Sequence, residues 1–478
     1  MRTSSAVISK TGRQSAMEQL QEFLGKRQAA TKAVSDLAEY ERQLHKLVVA
    51  VECEAIAEEL GKFDLNVPEI EVAGRSYKQV LRSGETYLCV GGEVRVERSL
   101  YRAASGERAI SAMELQAGIV EGYWTPLAAE IGAWVVAHLT PREGEELFQR
   151  MGGMQPSRSS LDRLVRGVGQ HWEAGRKKLE LAVGRSEQVP EEAVSCAVSL
   201  DGVMIPLKDG QRTEKRDEAK AEGKRTRGPA GYGEASCGTV SFYDRKGELI
   251  STVRMARMPE SGKTTLKDML KREVAAVQNQ RPDLTFAALA DGAKDNWTFL
   301  DNLLPATEQV IDFYHSAEHL KDALDAAYGE GNSKSASQFE KLRHKLRHDY
   351  NGVESVIRAL IHLRDRFPRR RIIARELAFF RNNRNRNRMS YAEMAERGLP
   401  IGSGIVEAAC KTLVTQRLKC SGMRWREDGG QAVLTLRSLI QSDRFDRGWK
   451  LLLGSYKAKI SLPKNVLALP KVHLTASV

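Results

Sequence analysis

The stretch between residues 193 and 314 constrains this chain most, because its apolar runs come in an order that few folds accommodate. Apolar, β-branched runs predict strands over 194–207, 236–243, 248–255, 285–290 and 308–314. Helical periodicity predicts helices over 261–278 and 296–303. Strand-strand-strand-helix-strand-helix-strand is the order of an antiparallel three-strand meander that βα units complete into a mixed sheet. Asp244-Arg245-Lys246-Gly247 reads as the hairpin connection within the meander, and 208–233 as a polar, Gly-rich loop.

Two of these runs are broken by an acid, in Ser199-Leu200-Asp201-Gly202 and Ala288-Leu289-Ala290-Asp291-Gly292. The first strand continues past Asp201 as Val203-Met204-Ile205-Pro206-Leu207, so that carboxylate sits mid-strand, where burial costs several kcal/mol unless a cation neutralises it. A third acid, Glu407, falls in the first turns of a helical pattern opened by Pro400-Ile401-Gly402-Ser403-Gly404. Such a trio resembles the metal-binding set of an RNase H-like polynucleotidyl transferase. In that chemistry two Mg²⁺ (or Mn²⁺) ions about 3.5–4 Å apart activate a water or 3′-hydroxyl and stabilise the leaving oxygen. Oxygen-only ligands suit Mg²⁺. The competing readings stay open: Asp-Gly is a strong turn signal, and Glu407 has Lys411 at i+4 as an ordinary helical partner. Asp312 and His315, in Ile311-Asp312-Phe313-Tyr314-His315, are placed to orient water or support the metal ligands.

Charge points the same way. Lys and Arg (74) exceed Asp and Glu (62), and the excess concentrates at 366–388 and 411–426, which favours nucleic acid over a membrane surface. Hydrophobic residues, 41% of the chain, suffice for ordinary cores. The six cysteines are scattered without a CxxC, as in a reduced compartment. The start has too short an apolar core for a secretory signal, and no run approaches ~18 apolar residues. The expectation is a soluble, cytoplasmic, nucleoid-associated bacterial protein with no membrane partner.

Seven regions follow. Residues 1–65 are helical, as a packed helix pair or a dimerising coiled coil. Residues 66–124 form a small β-rich domain, with Gly91-Gly92 a hairpin signal. Residues 125–190 are helical: Thr140-Pro141 starts one helix, Gly152-Gly153 breaks it, and Ser157-Arg158-Ser159-Ser160 starts the next. That is a helix-turn-helix layout, with Arg158, Ser159 and Arg163 toward DNA, or simply two packed helices. Residues 191–320 carry the first part of the core, 321–398 an all-helical insertion, 399–444 the Glu407 helix and 445–478 a tail of unread role.

Further DNA contacts are expected from two segments. Arg381, Arg384, Arg386 and Arg388 alternate with Asn, a poor helix former, which favours a loop along phosphates. Arg417, Lys419, Arg424 and Trp425 combine cations with an indole able to stack a base or to sit in a core. The His315/His319 and His344/His348 pairs have zinc spacing but lack an evident third ligand. Gly262-Lys263-Thr264 lacks the first glycine of a phosphate loop, which would stand at Arg257, and reads as a helix start.

Taken together, Ser199-Leu200-Asp201-Gly202, Ala290-Asp291-Gly292-Ala293-Lys294, Asp312-Phe313-Tyr314-His315 and Pro400-Ile401-Gly402-Ser403-Gly404-Ile405-Val406-Glu407 resemble the blocks of bacterial insertion-sequence DDE transposases. The likeness is to the ISKra group, related to Mutator-like elements; Ser421-Gly422-Met423-Arg424-Trp425 and Pro156-Ser157-Arg158-Ser159-Ser160-Leu161 fit it too. Over roughly 70–440, the resemblance implies an RNase H-like core with a helical insertion and Asp201, Asp291 and Glu407 as metal ligands. Asp312 and His315 would match the C/D-x-x-H signature of many cut-and-paste superfamilies. The resemblance further implies binding of terminal inverted repeats and target DNA, with a homodimer or larger assembly joining two ends. Cysteine pairs that members often carry are absent near Cys89, so no zinc ribbon is implied. A nuclease or resolvase on the same core, and a non-catalytic DNA-binding regulator, are the alternatives.

Overall fold

A computed structural model of the chain describes residues 14–208, 217–223, 231–291, 294–304, 307–367 and 370–463. Most of the loop expected at 208–233 lies outside these residues. The chain forms two compact units, one made of 1–179 with 446–478 and the other of 180–445. Both contain helices and one contains each of two five-stranded sheets, so the protein is mixed α/β.

In the first unit, α1 (Ala16–Gln28) begins at a capping box in which Ser15 and Glu18 satisfy each other's backbone amides. It packs on α2 (Leu37–Lys62), with Phe23 stacked on Tyr40 at 5.3 Å. The helix pair expected from the spacing is therefore formed within one chain. Strands β1 (Glu69–Val72), β2 (Arg75–Cys89), β3 (Gly92–Arg102) and β4 (Ile110–Ser111) make an antiparallel sheet, extended at its β1 edge by Ile460–Ser461 from the C-terminal segment. The β2–β3 turn is the one marked by Gly91-Gly92; Gly92 has φ 143°. Arg98 lies between Glu85 and Glu114, and Glu114 also accepts from the Tyr87 hydroxyl at 2.8 Å.

After α3 (Ala112–Ala117) and α4 (Pro126–His138) come α5 (Pro141–Met151) and the long α6 (Arg158–Arg185). Thr140 caps α5 through a second capping box, with Pro141 at the first helical position. Gly152 and Gly153 then take positive φ (77° and 78°), which ends the helix where the sequence predicts. The two helices touch where Gly144 leaves room for Leu161: a Cβ at 144 would lie 3.3 Å from the leucine methyl.

The second unit is built on β5 (Ser195–Pro206), β6 (Tyr232–Tyr243), β7 (Leu249–Arg257), β8 (Thr285–Ala290) and β9 (Glu308–Ile311), in the order β7-β6-β5-β8-β9. The first three pair antiparallel, and β5–β8 and β8–β9 pair parallel, which is the meander followed by βα units read from the sequence. Asp244 fixes the β6–β7 turn by accepting from the amides of Lys246 and Glu248, both at 2.8 Å. The crossovers are α7 (Thr264–Gln280) and α8 (Lys294–Leu303). α7 buries Leu266, Leu270, Val274 and Val277 on one face of the sheet. Gly238 in β6 admits it, since a Cβ there would come within 3.0–3.1 Å of Leu270.

Two expectations are corrected here. The strand predicted over 308–314 stops at Ile311, because Asp312 caps the helix α9 (Phe313–Tyr328) by accepting from the His315 amide. The Arg/Asn run is not a loop throughout. After α10 (Ser333–His348) and α11 (Gly352–Arg366), α12 (Arg371–Asn385) carries Arg381 to Asn385 as helix. Burial of Ile373, Leu377 and Phe380, with the Asn383 amide donating to the Phe379 carbonyl at 3.0 Å, overrides the low helix propensity of Asn. Helices α9–α12 share one continuous core with the sheet, and α9 runs through the boundary expected at 320/321.

After α13 (Tyr391–Glu396), the helix α14 (Gly404–Ala409) continues as a π-helical turn, Cys410–Thr415, and a last turn, Gln416–Leu418. Buried Arg437, on α15 (Glu427–Gln441), donates to the Leu413 carbonyl at 2.9 Å and to that of Thr412, groups whose pairing the π turn disturbs. No helix among the described residues is long and apolar enough to cross a membrane.

Candidate active site

Parallel register brings the acids of neighbouring strands together. Ser199 pairs with Leu289 and Ala290 with Ile311, so continuing both ladders sets Asp201, midway along β5, beside Asp291 and Asp312, which directly follow β8 and β9. Asp201 and Asp291 share a face, since each stands two residues beyond a paired position. Burial holds the Asp201 carboxyl above the usual carboxylate range, and the charge of Asp291 adds to that; the Gly202 amide, 2.7 Å from Oδ1, pulls the other way. Asp201-Gly202 is not a hairpin turn: β5 continues to Pro206 through Gly202, paired with β6 throughout. Gly292 of the second Asp-Gly pair lies outside the described residues.

The neighbourhood of Asp291 is braced by α8. Asn296, buried, donates its side-chain amide to the Leu200 carbonyl at 3.3 Å and to Asp291 Oδ1 at 3.4 Å, tying the two acid-bearing segments together. Trp297 Nε1 donates to the Asp291 carbonyl at 2.7 Å. Its ring is covered by Arg388, whose guanidinium carbon lies 3.6 Å from the ring centroid. Burial, then Arg386 nearby, lowers the Arg388 pKa to about 10. At 3% exposed, with Gln309 and Asp301 engaging its guanidinium, Arg388 props the β8 end and does not present itself to phosphates as the sequence reading held.

Glu407 approaches from the Asp201 side. Three residues on, about 4.5 Å along the helix, Cys410 sets its Sγ 3.7 Å from Asp201 Oδ2. Cys237, opposite Asp201 in the β5–β6 ladder, contacts the same thiol and, ahead of burial, pushes Cys410 up. The Glu407 side chain is exposed, and Oε1 accepts from the Ser403 hydroxyl at 2.7 Å; among the described residues no ion pair with Lys411 forms. Two of the three expected acids thus lie on adjoining strands within reach of each other's charge, and the third stands one helical turn from a residue touching Asp201. Among the described residues, no three His, Cys, Asp or Glu side chains come close enough together to hold one ion. The Asp201–Asp291 pair nevertheless fits a hard divalent cation: its donors are all oxygen, and their mutual repulsion is what such a cation relieves.

Asp312 has a different task. It is 1% exposed, and its two oxygens accept from the backbone amides of His315 and Ser403. It fastens the segment ahead of Glu407 to the end of β9, assisted by the Phe313 amide on the Ile401 carbonyl at 2.9 Å. A side chain at Gly402 would press on the Tyr314 ring at 3.1 Å, so glycine permits the close approach. His315 turns to the helical layer: its Nε2 lies 3.2 Å from that of His319, which bonds buried Glu376. Of the two roles expected from the sequence for Asp312, orienting water or supporting the metal ligands, these bonds make it a strut for the segment that carries Glu407.

The expected DNA contacts divide. Arg158, Ser159, Arg163, Arg381, Arg384, Arg386, Lys419 and Arg424 are exposed, although Arg384 pairs with Glu354 at 2.8 Å. Arg417, like Arg388, is 3% exposed; its guanidinium lies 5.2 Å from the centroid of the half-buried Trp425. Trp425 Nε1 donates to the Leu418 carbonyl at 2.9 Å, and its backbone bonds Pro206 and Lys208, which staples 418–425 onto the end of β5.

Ser403, Asn296, Cys237 and Cys410 were missed from the sequence. For Ser403 the signal was present as a Ser four residues before Glu407; the others have no local signature. Lys263 belongs to the segment that the sequence marks as a helix start. It begins α7 at φ 54° with Nζ 2.9 Å from Glu234 Oε1, and its charge reaches Asp201.

No family model matches the chain, and no curated protein matches it. One solved structure with some likeness is a Drosophila P element transposase strand transfer complex, at 12% identity and TM-score 0.25, covering 74% of this chain and 83% of that one. A superposition of that quality does not establish a shared fold.

Proposed function

We propose that this chain is a divalent-metal-dependent DNA transposase on an RNase H-like core, which cleaves at the ends of its element and joins 3′-hydroxyls to target DNA. The observation that carries this reading is the Asp201–Asp291 pair on adjoining strands, with the Glu407 helix touching Asp201 through Cys410. Asp201 and Asp291 would hold Mg²⁺ or Mn²⁺, with Glu407 completing the set. When bound, such ions supply Lewis-acid stabilisation of charge at a phosphodiester. The protein's own contribution is to hold the acids in place: Asn296 bridges β5 and β8, Trp297 under Arg388 fixes the Asp291 backbone, and Ser403 fixes one oxygen of Glu407.

DNA is held in this reading by exposed cations at Arg158 and Arg163 on α6, Arg381, Arg384 and Arg386 near the end of α12, and Lys419 and Arg424 beside β5. The helix pair α5–α6 serves as the end-binding helix-turn-helix, and a homodimer brings two ends together. The decisive experiment incubates the protein with Mg²⁺ or Mn²⁺ and the DNA flanking its own gene, then maps the products. Cleaved ends with strand-transfer products support a transposase. Cleavage without transfer moves the assignment to a nuclease or resolvase, and metal-independent binding without cleavage to a regulator.

A further inference from the structure

Ser403 occupies the residue before α14, a position where a serine oxygen ordinarily accepts from a backbone amide two or three residues on. Here it caps nothing: the helix has no side-chain cap bond, and the hydroxyl points instead at Glu407, 2.7 Å from Oε1. The serine is 4% exposed while the carboxylate it serves is exposed, so a fixed buried donor holds a group that would otherwise sample several rotamers. Ser403 is itself fixed from behind. Its amide donates to Asp312, whose other oxygen is taken by the His315 amide, and Gly402 lets the backbone approach Tyr314 closely. The chain of bonds runs from the end of β9 through Asp312 and Ser403 to Glu407.

We infer that Ser403 is a positioning residue for Glu407: its hydroxyl engages one carboxylate oxygen, sets the rotamer, and leaves the second oxygen directed outward for a divalent cation. This rests on the reading of Glu407 as a metal ligand. Outer-shell hydrogen bonds of this kind are worth about 10–100-fold in metal affinity. The helix cap that Ser403 forgoes is stability exchanged for placement.

The test is Mn²⁺ binding to the full-length protein, read from free Mn²⁺ by electron paramagnetic resonance, for wild type, Ser403→Ala, Ser403→Thr, Glu407→Gln and the Ser403→Ala/Glu407→Gln double variant. Ser403→Ala is expected to weaken binding by about 10–100-fold, and Ser403→Thr, which keeps the hydroxyl, to recover most of it. The double variant should bind no more weakly than Glu407→Gln alone, because Ser403 acts only through that carboxylate. Wild-type affinity in Ser403→Ala, or losses that add in the double variant, overturns the inference while leaving Glu407 a ligand. Equal binding by wild type and Glu407→Gln removes the underlying reading as well. Circular dichroism melts of each variant separate misfolding from lost placement, and the Thr variant keeps the question answerable should Ala unfold the segment.

Discussion

Asp201, midway along β5, and Asp312, just past β9, stand two strands apart at one level of the sheet, and their surroundings are opposite. Asp312 is sealed, with each oxygen accepting a backbone amide, and it fastens a loop. Asp201 is only half-buried, shares its repulsion with Asp291, and touches a thiol 3.7 Å away. A buried carboxylate whose two oxygens each hold a backbone amide stabilises a fold and is closed to a ligand from solvent. A half-buried carboxylate within reach of a second acid's charge costs the fold stability when ionised and gains from a cation. Position in the sheet alone therefore does not assign a role; the hydrogen-bond inventory does.

That contrast is broken most directly by activity. Asp201→Asn or Asp291→Asn should lower metal-dependent DNA cleavage by about 10³-fold or more, the equivalent of several kcal/mol of lost charge stabilisation, with DNA binding retained in a gel-shift assay. Residual cleavage within tenfold of wild type removes both from the reaction.

Stability should move in opposite directions at the two acids. Asp312→Asn replaces an acceptor by an NH₂ group facing a backbone amide, a cost of about 1–3 kcal/mol, seen as a lower midpoint in urea unfolding. In chelator at pH 7, Asp201→Asn should instead raise Tm by about 2–4 °C, through loss of a buried charge facing Asp291. The sign follows from the raised pKa. The cost of keeping Asp201 ionised is absent below the ordinary Asp pKa of about 3.9 and grows as pH rises through the raised folded value, so the gain should fade toward pH 4. Added Mg²⁺ should raise Tm in the wild type more than in this variant. Equal shifts of one sign at both acids would erase the distinction.

The smallest effect sharpens the same lesson for the cations. Arg381→Ala, at an exposed position, should reduce the salt slope of DNA binding by about 1, while Arg388→Ala should leave that slope unchanged and lower Tm. A reversed outcome would return Arg388 to the DNA-binding face.

Read alone, the sequence determined the element order, because strand and helix periods are local properties of side chains. It placed Asp201 mid-strand and Asp291 just past a strand, and marked the helix starts at Thr140 and Thr264 and the hairpins at Gly91-Gly92 and Asp244. It ended β9 three residues late and read helix as loop at 381–385, since a buried cap and a packed face outweigh local propensity. Only the tertiary structure decided which polar groups are used up. Whether Arg388 reaches solvent depends on Trp297, whether Asp312 is available depends on Ser403, and whether Glu407 is aimed depends on a hydroxyl four residues away. The Trp297 cover on Arg388 and the Ser403 amide on Asp312 come from partners 91 residues away, which no local periodicity encodes; the Ser403–Glu407 bond is local, but whether the hydroxyl caps the helix or turns to the carboxylate is settled only by the fold.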